Sequence, residues 1–282
     1  MSKPAFSFEF FPAKTEVGHD KLLATFDELN ELSPAYFSVT YGAGGSTRDR
    51  TLDIVKALIG RSNTPITPHI SCIGDNKSQI AELLELYQSL GIKRLVALRG
   101  DLPSGQVGMG ELPFAVDLVK FIREHSGEHF NIEVAAYPEM HPQARSFMFD
   151  IDNLVNKYNA GANAAITQFF YNADSYLYLR DALEQRGIDT TKNPLVAGIM
   201  PITNSSNLIR FADSCGADIP RYLRRQLSDF GDDKKAIREF GFEVVYRLCD
   251  RLIAEGVPAM HFYSMNKVEP NKRLVETLGL VA

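Results

Sequence analysis

Short apolar runs alternate with longer segments of helical period along nearly the whole chain. The runs are Phe6–Phe11, Tyr36–Tyr41, Ile66–Cys72, Arg94–Arg99, Ile132–Tyr137, Ala164–Phe170, Leu195–Met200 and Ala259–Tyr263; they predict eight strands. Between them, apolar residues recur every three or four positions. In 78–90, Ile80, Leu83, Leu84, Tyr87 and Leu90 share one helical face, and Gly91 follows as a C-cap. In 234–255, Ile237, Phe240, Val244, Val245, Leu248 and Leu252 do the same ahead of Gly256. Strands alternating with helices imply a parallel sheet with helical crossovers. Eight repeats in 282 residues predict the α/β class and a single (β/α)8 TIM barrel with a few extra helices, one domain over 1–282. An open doubly wound sheet would carry G-x-G-x-x-G between a strand and a helix, and the chain has no such match. The glycine-rich stretches 42–47 and 105–110 fit neither that fingerprint nor a P-loop, and read as loops after strands two and four.

One residue breaks the pattern. Glu9 sits inside FSFEFFP, among phenylalanines. Burying an ionised carboxylate without a partner costs several kcal/mol, so Glu9 either faces outward from a half-exposed strand or is kept for a purpose. A barrel collects its functional residues at the C-terminal ends of several strands. Polar residues recur at those ends: Thr40 and Tyr41 on strand two, His69 on strand three, Arg99-Gly100-Asp101 on strand four. Tyr137, Glu139 and His141 follow strand five, and Gln168 lies in strand six. Each alone reads as an ordinary hydrogen-bonded residue. Their recurrence at one end assigns a site, with Glu9 as the contribution of strand one.

Composition narrows the classes. A net charge of −5 argues against a broad nucleic-acid surface. No segment approaches the roughly 18 uninterrupted apolar residues of a membrane helix. The N-terminus enters strand one without the apolar core of a signal peptide, and Cys72, Cys215 and Cys249 are scattered and odd in number. Together these lead to the expectation of a cytoplasmic protein with no membrane partner. His125 to His129 matches H-x-x-E-H, but Gly127 in its middle is expected to end the helix that a metal site would need. The basic cluster Arg221, Arg224, Arg225, Lys234 and Lys235 is interleaved with Asp229, Asp232 and Asp233 and reads as a solvated face.

The motifs FSFEFFP, FSVTYGAGGSTRDRT, TPHISC, VALRGDLP, VAAYPEMHP, NAGANAAITQFFYN and HFYSMN occur in that order. From about Phe6 to Leu278 the chain resembles the methylenetetrahydrofolate reductase family in its bacterial, catalytic-domain-only form. The resemblance implies a barrel that binds FAD noncovalently and reduces 5,10-methylenetetrahydrofolate to 5-methyltetrahydrofolate, supplying methyl groups for methionine synthesis. NADH or NADPH gives hydride to the flavin and leaves before folate takes it. The implied flavin positions are Thr40, Tyr41, Ala43, His69, Arg99, Gly100, Asp101, Tyr137, His141, Ala144, Asp150, Asn153 and Lys157. Gln168, Tyr176 and Lys267 fall on the folate side. Asp101 is implied both to disfavour the anionic reduced flavin and to bond the pterin, with Gly100 letting a ligand approach the backbone. Glu9 is implied to be the acid that opens the folate ring, and a carboxyl among Phe8, Phe10 and Phe11 is expected to have a raised pKa and hold a proton near neutral pH.

Two positions depart from the family pattern. Ser205 stands where a stacking phenylalanine is common, with Leu208 the nearest apolar side chain, and Lys267 stands where arginine is common. A homo-oligomer is expected, as is the absence of a regulatory domain after Ala282. Two other classes fit the barrel: a flavin-free pterin-binding or methyl-transfer barrel, which would keep Glu9 and Gln168 but lose the flavin positions, and a non-enzymatic binding barrel.

Overall fold

The computed structural model describes residues 3–41, 45–101 and 110–281, of which 45–48 are described by their backbone alone. Eight parallel strands close into a barrel in chain order: β1 (Ala5–Phe10), β2 (Phe37–Val39), β3 (Ile66–Ser71), β4 (Arg94–Leu98), β5 (Asn131–Ala136), β6 (Ala164–Thr167), β7 (Leu195–Ile199) and β8 (Ala259–Tyr263). The predicted (β/α)8 class and all eight predicted strands are therefore present. β2 and β6 are each three residues shorter than the apolar runs suggested. Thr40 and Gln168 lie beyond their ladders, yet each still donates its amide to the preceding strand, Thr40 to Phe10 O at 2.9 Å and Gln168 to Ala136 O at 2.8 Å. The ends of the apolar runs thus become the walls of the barrel mouth.

The crossovers are α1 (Glu16–Asn30), α2 (Gly45–Ile59), α3 (Lys77–Ser89), α4 (Ala115–Ser126), α5 (Phe147–Asn159) and α6 (Ala173–Glu184). The additional helices fall between β7 and β8, where α7 (Ser205–Cys215), α8 (Arg221–Asp229) and α9 (Lys234–Ala254) follow one another; α10 (Asn271–Thr277) comes after β8. Local chemistry sets the starts. The Thr15 hydroxyl accepts from Gly18 N at 3.1 Å, and Asn76 and Gln79 form a reciprocal capping box. Gly127, at φ 56°, ends α4 as its sequence context requires, leaving His125 on the helix and His129 beyond it. Residues 45–47, read above as loop, instead open α2.

Period-two alternation sorts β1 into two faces. Phe6, Phe8 and Phe10 point outward to the helical layer. Phe8 and Phe10 stack on Phe37 at 5.9 and 5.5 Å, and Phe26 of α1 lies 4.6 Å from Phe37. Ser7 and Glu9 point into the barrel, Ser7 opposite His261 and Glu9 opposite both Ser38 and Tyr263. Barrel interiors are ordinarily filled by Val, Ile and Leu. Here only one side is: Val96, Ile166 and Val196 form a small cluster of their own, with Leu98 and Ala259 against it. The opposite side, from β8 through β3, carries His261, Ser7, Glu9, Ser38, Thr67 and His69. A buried interior that spends so many positions on polar groups is unfavourable for stability alone and marks a functional site.

Candidate active site

The C-terminal mouth holds a cavity of about 390 Å³, lined by Glu9, Thr40, Tyr41, His69, Tyr137 and Gln168 from the predicted set. Five strands or their extensions supply these six side chains, as the barrel rule demands. Sequence reasoning missed Met200, Phe211, Cys215, Tyr263 and Met265, which also line the wall.

The rim between β8 and β1 is tightly built. Ser264 donates to Glu9 O, and Asn266 bonds the main chain of Phe11 twice, accepting from its amide at 3.1 Å and donating to its carbonyl at 2.8 Å. These bonds hold Met265 and Asn266 in the left-handed region, at φ 54° and 52°, which few non-glycine residues occupy. Across the barrel, the Tyr263 hydroxyl donates to Thr167 O at 2.6 Å. That crossing needs Gly198, because a Cβ there would fall 2.0 Å from Thr167 O and 2.8 Å from Tyr263 Oη.

Glu9 lies on the cavity floor between two imidazoles. Its Oε2 is 3.3 Å from His69 Nε2 and 3.7 Å from His261 Nε2. Among the described residues His69 Nε2 has no aligned hydrogen-bond partner. The expectation of a raised pKa is overturned. Burial pushes the carboxyl upward and is the largest single influence, but His261 and His69 together outweigh it and hold Glu9 at about 2. The reason is geometric: the phenylalanines that were to desolvate Glu9 face the helices, and histidines occupy the space beside it. His261 is the chief functional residue that sequence reasoning missed. Its signal was available in AMHFY, where alternation sends Ala259, His261 and Tyr263 to the interior together.

The other predicted positions gather on the β4–α5 side. Arg99 donates from Nε to Gly100 O at 3.2 Å, and among the described residues it forms no ion pair with Asp101. Gly100 is obligatory for an internal reason: at φ +85° a Cβ would meet Ser71 Oγ at 2.0 Å. Asp101 is exposed, and with Asp150 it adds to the burial that pushes the Tyr137 hydroxyl up to about 12. Asp150 accepts from His141 N at 2.8 Å, and the His141 ring meets Tyr137 edge to face at 4.5 Å. Ala144 closes the turn by donating to His141 O at 2.8 Å, and Asn153 is exposed on α5. Lys157 is bonded at Nζ to Ala135 O at 2.5 Å, and burial, partly offset by Asp150, brings it down to about 8.

Three folate-side expectations change. Tyr176 does not reach the mouth; it is buried in α6, stacked on Phe170, with its hydroxyl bonded to Leu195 O at 2.7 Å. Lys267 is exposed beside a separate cavity of about 570 Å³, shared with Arg238 and Arg273. Leu208 is buried in the core, so the aromatic ring that α7 brings to the cavity is Phe211. Ala43 lies outside the described residues.

No helix among the described residues is long and apolar enough to cross a membrane. In overall shape the chain resembles a Clostridium thermocellum protein described as binding two copies of 5-methyl-5,6,7,8-tetrahydrofolic acid. The TM-score is 0.64 over 99% of this chain and 95% of that one, at 14% identity, a likeness of fold. The sequence is 39% identical to the 5,10-methylenetetrahydrofolate reductases of Pectobacterium carotovorum subsp. carotovorum and Escherichia coli K12, over 97% of this chain and 90% of theirs. It is 36% identical to methylenetetrahydrofolate reductase (NADH) 1 of Arabidopsis thaliana, over 100% of this chain and 49% of that protein. The profile of the methylenetetrahydrofolate reductase family matches residues 1–279. With that match, and relatives this similar across nearly its whole length, the chain belongs to the methylenetetrahydrofolate reductase family of oxidoreductases.

Proposed function

We propose that this barrel reduces 5,10-methylenetetrahydrofolate to 5-methyltetrahydrofolate at the cavity above Glu9, with electrons from NADH or NADPH delivered through noncovalently bound FAD. The observation that carries the reading is the carboxylate of Glu9 held between His69 and His261 on the cavity floor. A saturated folate ring opens only when its leaving nitrogen receives a proton, and this cluster is built to hold one.

The residues of the β4–α5 side suit a flavin dinucleotide. Lys157 is a half-buried cation whose bond among the described residues is to a carbonyl, and Arg99 adds a second cation not paired with its neighbour Asp101. Both suit phosphate or ring oxygens, while Asp150 and Asn153 suit ribityl or ribose hydroxyls. Bound there, the flavin would supply the hydride relay between nicotinamide and folate. The chain's own work is to bind, orient and protonate. Gln168 in the cavity wall and Asp101 after β4 suit hydrogen bonds to the pterin, and Phe211, Met200 and Met265 suit apolar contact. Because Glu9 itself is held ionised, it must take up a proton before it can give one. His261 Nε2 passes it to Glu9 Oε2, and Glu9 passes it to the folate nitrogen. The methyl product fits a role in supplying methionine synthesis.

The test is a visible spectrum of the purified protein followed by stopped-flow measurement of the two half-reactions. A bound flavin that NADH or NADPH bleaches and methylenetetrahydrofolate restores is expected. Folded protein that takes up no FAD would overturn the flavin assignment and favour the flavin-free pterin barrel.

A further inference from the structure

The helix that follows β7 brings its C-terminal half to the barrel mouth, where Phe211 and Cys215 line the cavity. Its end is fastened to the turn that follows β5. Glu139 Oε2 accepts from the main-chain amide of Asp218, three residues past α7, at 2.6 Å. Beside that bond Gly216 ends α7 in the left-handed region at φ 74°, and it sits so close to the same turn that a Cβ would fall 2.8 Å from Pro142 Cγ. A crevice of only about 10 Å³ is left at this joint. The receiving turn is itself firm: His141 N donates to Asp150 at 2.8 Å, and Ala144 N donates to His141 O at 2.8 Å. The start of α7 is held separately. Asn204 accepts from Asn207 N at 2.8 Å, and Leu208 and Ala212 are buried in the core. Glu139 is not among the described residues that line the mouth cavity.

We propose that Glu139 is a positioning residue: through the Asp218 amide it holds the C-terminal end of α7 against the mouth, so that Phe211 and Cys215 form the wall a ligand packs on. The inference rests on the reading of this mouth as the folate and nicotinamide site. The bond joins the two halves of that site. The turn after β5 carries Tyr137 and His141, on the side that suits a flavin, and α7 carries the aromatic ring on the other. Without the bond, the buried Leu208 and Ala212 still anchor the middle of α7, and only its end is released. Glu9 would be undisturbed, because its neighbours His69 and His261 come from β3 and β8. The loss should therefore fall on ligand affinity and leave the chemical step in place.

The donor to Glu139 is a neutral amide, so the position calls for an acceptor oxygen and not for a charge. Glutamine keeps that oxygen and alanine does not. Cys215 reports on the joint, because it precedes Gly216 and is half-buried, whereas Cys72 and Cys249 are buried. Burial, with a smaller push from the Glu139 charge, raises the Cys215 thiol, and Glu139→Gln removes that charge while leaving the bond. The pair of variants thus separates position from electrostatics.

The experiment measures, for Glu139→Ala and Glu139→Gln, the rate at which N-ethylmaleimide modifies Cys215, read by peptide mass spectrometry, and the steady-state constants. The Cys215 rate is expected to rise about tenfold in Glu139→Ala, the size of losing one hydrogen bond to a charged group, and to stay within about twofold of the parent in Glu139→Gln. KM for methylenetetrahydrofolate or for the nicotinamide should rise about fivefold or more in Glu139→Ala with kcat near that of the parent, and recover in Glu139→Gln. An unchanged Cys215 rate in folded Glu139→Ala would overturn the proposal. So would a rate raised equally in both variants, which would be an effect of charge, or a freed Cys215 with neither KM changed. Should Glu139→Ala fail to fold, Gly216→Ala pushes the same joint apart at Pro142 and is expected to free Cys215 and raise KM likewise; no change there would overturn the proposal. The thiol rate needs neither flavin nor substrate, so a failure of this bond is distinguishable from a failure of the flavin and folate reading.

Discussion

Replacing Glu9 with glutamine tests the centre of the site, because it removes a charge and a proton carrier while keeping the shape. In the proposed reaction only the folate half-reaction would need a proton at this position; hydride transfer from nicotinamide to flavin would not. Losing a general acid costs about 10²–10⁴-fold, or roughly 3–5 kcal/mol of barrier at about 1.4 kcal/mol per tenfold. Flavin reoxidation by methylenetetrahydrofolate should therefore fall by that factor in Glu9→Gln, with flavin reduction within a fewfold of the parent. Stopped-flow traces of the two steps read this directly. Equal losses in both would mean a disturbed flavin site, and no loss in either would remove Glu9 from the mechanism.

The same substitution has a stability signature. A carboxyl held at about 2 in the fold against 4.5 free corresponds to at most about 3 kcal/mol, discounted for the 18% of the side chain still exposed. Because the folded value is depressed, this stability is fully present above pH 4.5 and is lost as pH falls toward 2. Glutamine cannot titrate. The advantage of the parent over Glu9→Gln in denaturant unfolding should thus shrink by about 1 kcal/mol between pH 7 and pH 4. A difference that stays flat, or widens on acidification, would refute the ionised carboxylate and restore the idea of a proton stored on Glu9 itself.

Gly198→Ala should destabilise the barrel by about 3 kcal/mol, the upper range for overpacking, because its Cβ would meet a backbone carbonyl; thermal unfolding checks this, and a neutral effect would mean that Tyr263 does not cross to Thr167. Phe211→Ala should weaken binding of methylenetetrahydrofolate or nicotinamide by about fivefold, the worth of one aromatic contact of about 1 kcal/mol. Unchanged affinity for both in equilibrium titrations would take Phe211 off the ligand path.

The fold was legible because each repeat states it twice, as a short apolar run and as a helical stripe. What the runs could not state was where a strand leaves its ladder. Thr40 and Gln168 keep a strand-like hydrogen bond to the preceding strand after regular pairing has stopped, so no local signal separates them from β2 and β6. Tyr176 shows the limit of position matching. It lies in α6, which packs that face on β7, and the hydroxyl is consumed by Leu195 O. Lys267 similarly lies two residues beyond Met265, which is enough to turn it from the mouth cavity to the neighbouring one.

Glu9 carries the deeper lesson about reading charge from sequence. Alternation alone places Glu9 on the face opposite Phe6, Phe8 and Phe10, so the apolar company visible in FSFEFFP is company along the chain and not in space. The side chains that decide its protonation come from His69, sixty residues on, and from His261, at the far end of the sequence and brought beside β1 only when the barrel closes. A pKa is set by the groups across the interior, and barrel closure determines which those are. The same closure joins Glu133 of β5 to Tyr36 before β2. Seen from the sequence, Glu133 is one polar residue in an ordinary strand, and Tyr36 is the first residue of an apolar run. Seen across the barrel, Tyr36 bonds Glu133 through its hydroxyl and stacks its ring on His261, the histidine beside Glu9. The polar half of this interior therefore has to be read as one unit, because the groups that hold Glu9 ionised come from strands far apart in the sequence and meet only across the closed barrel.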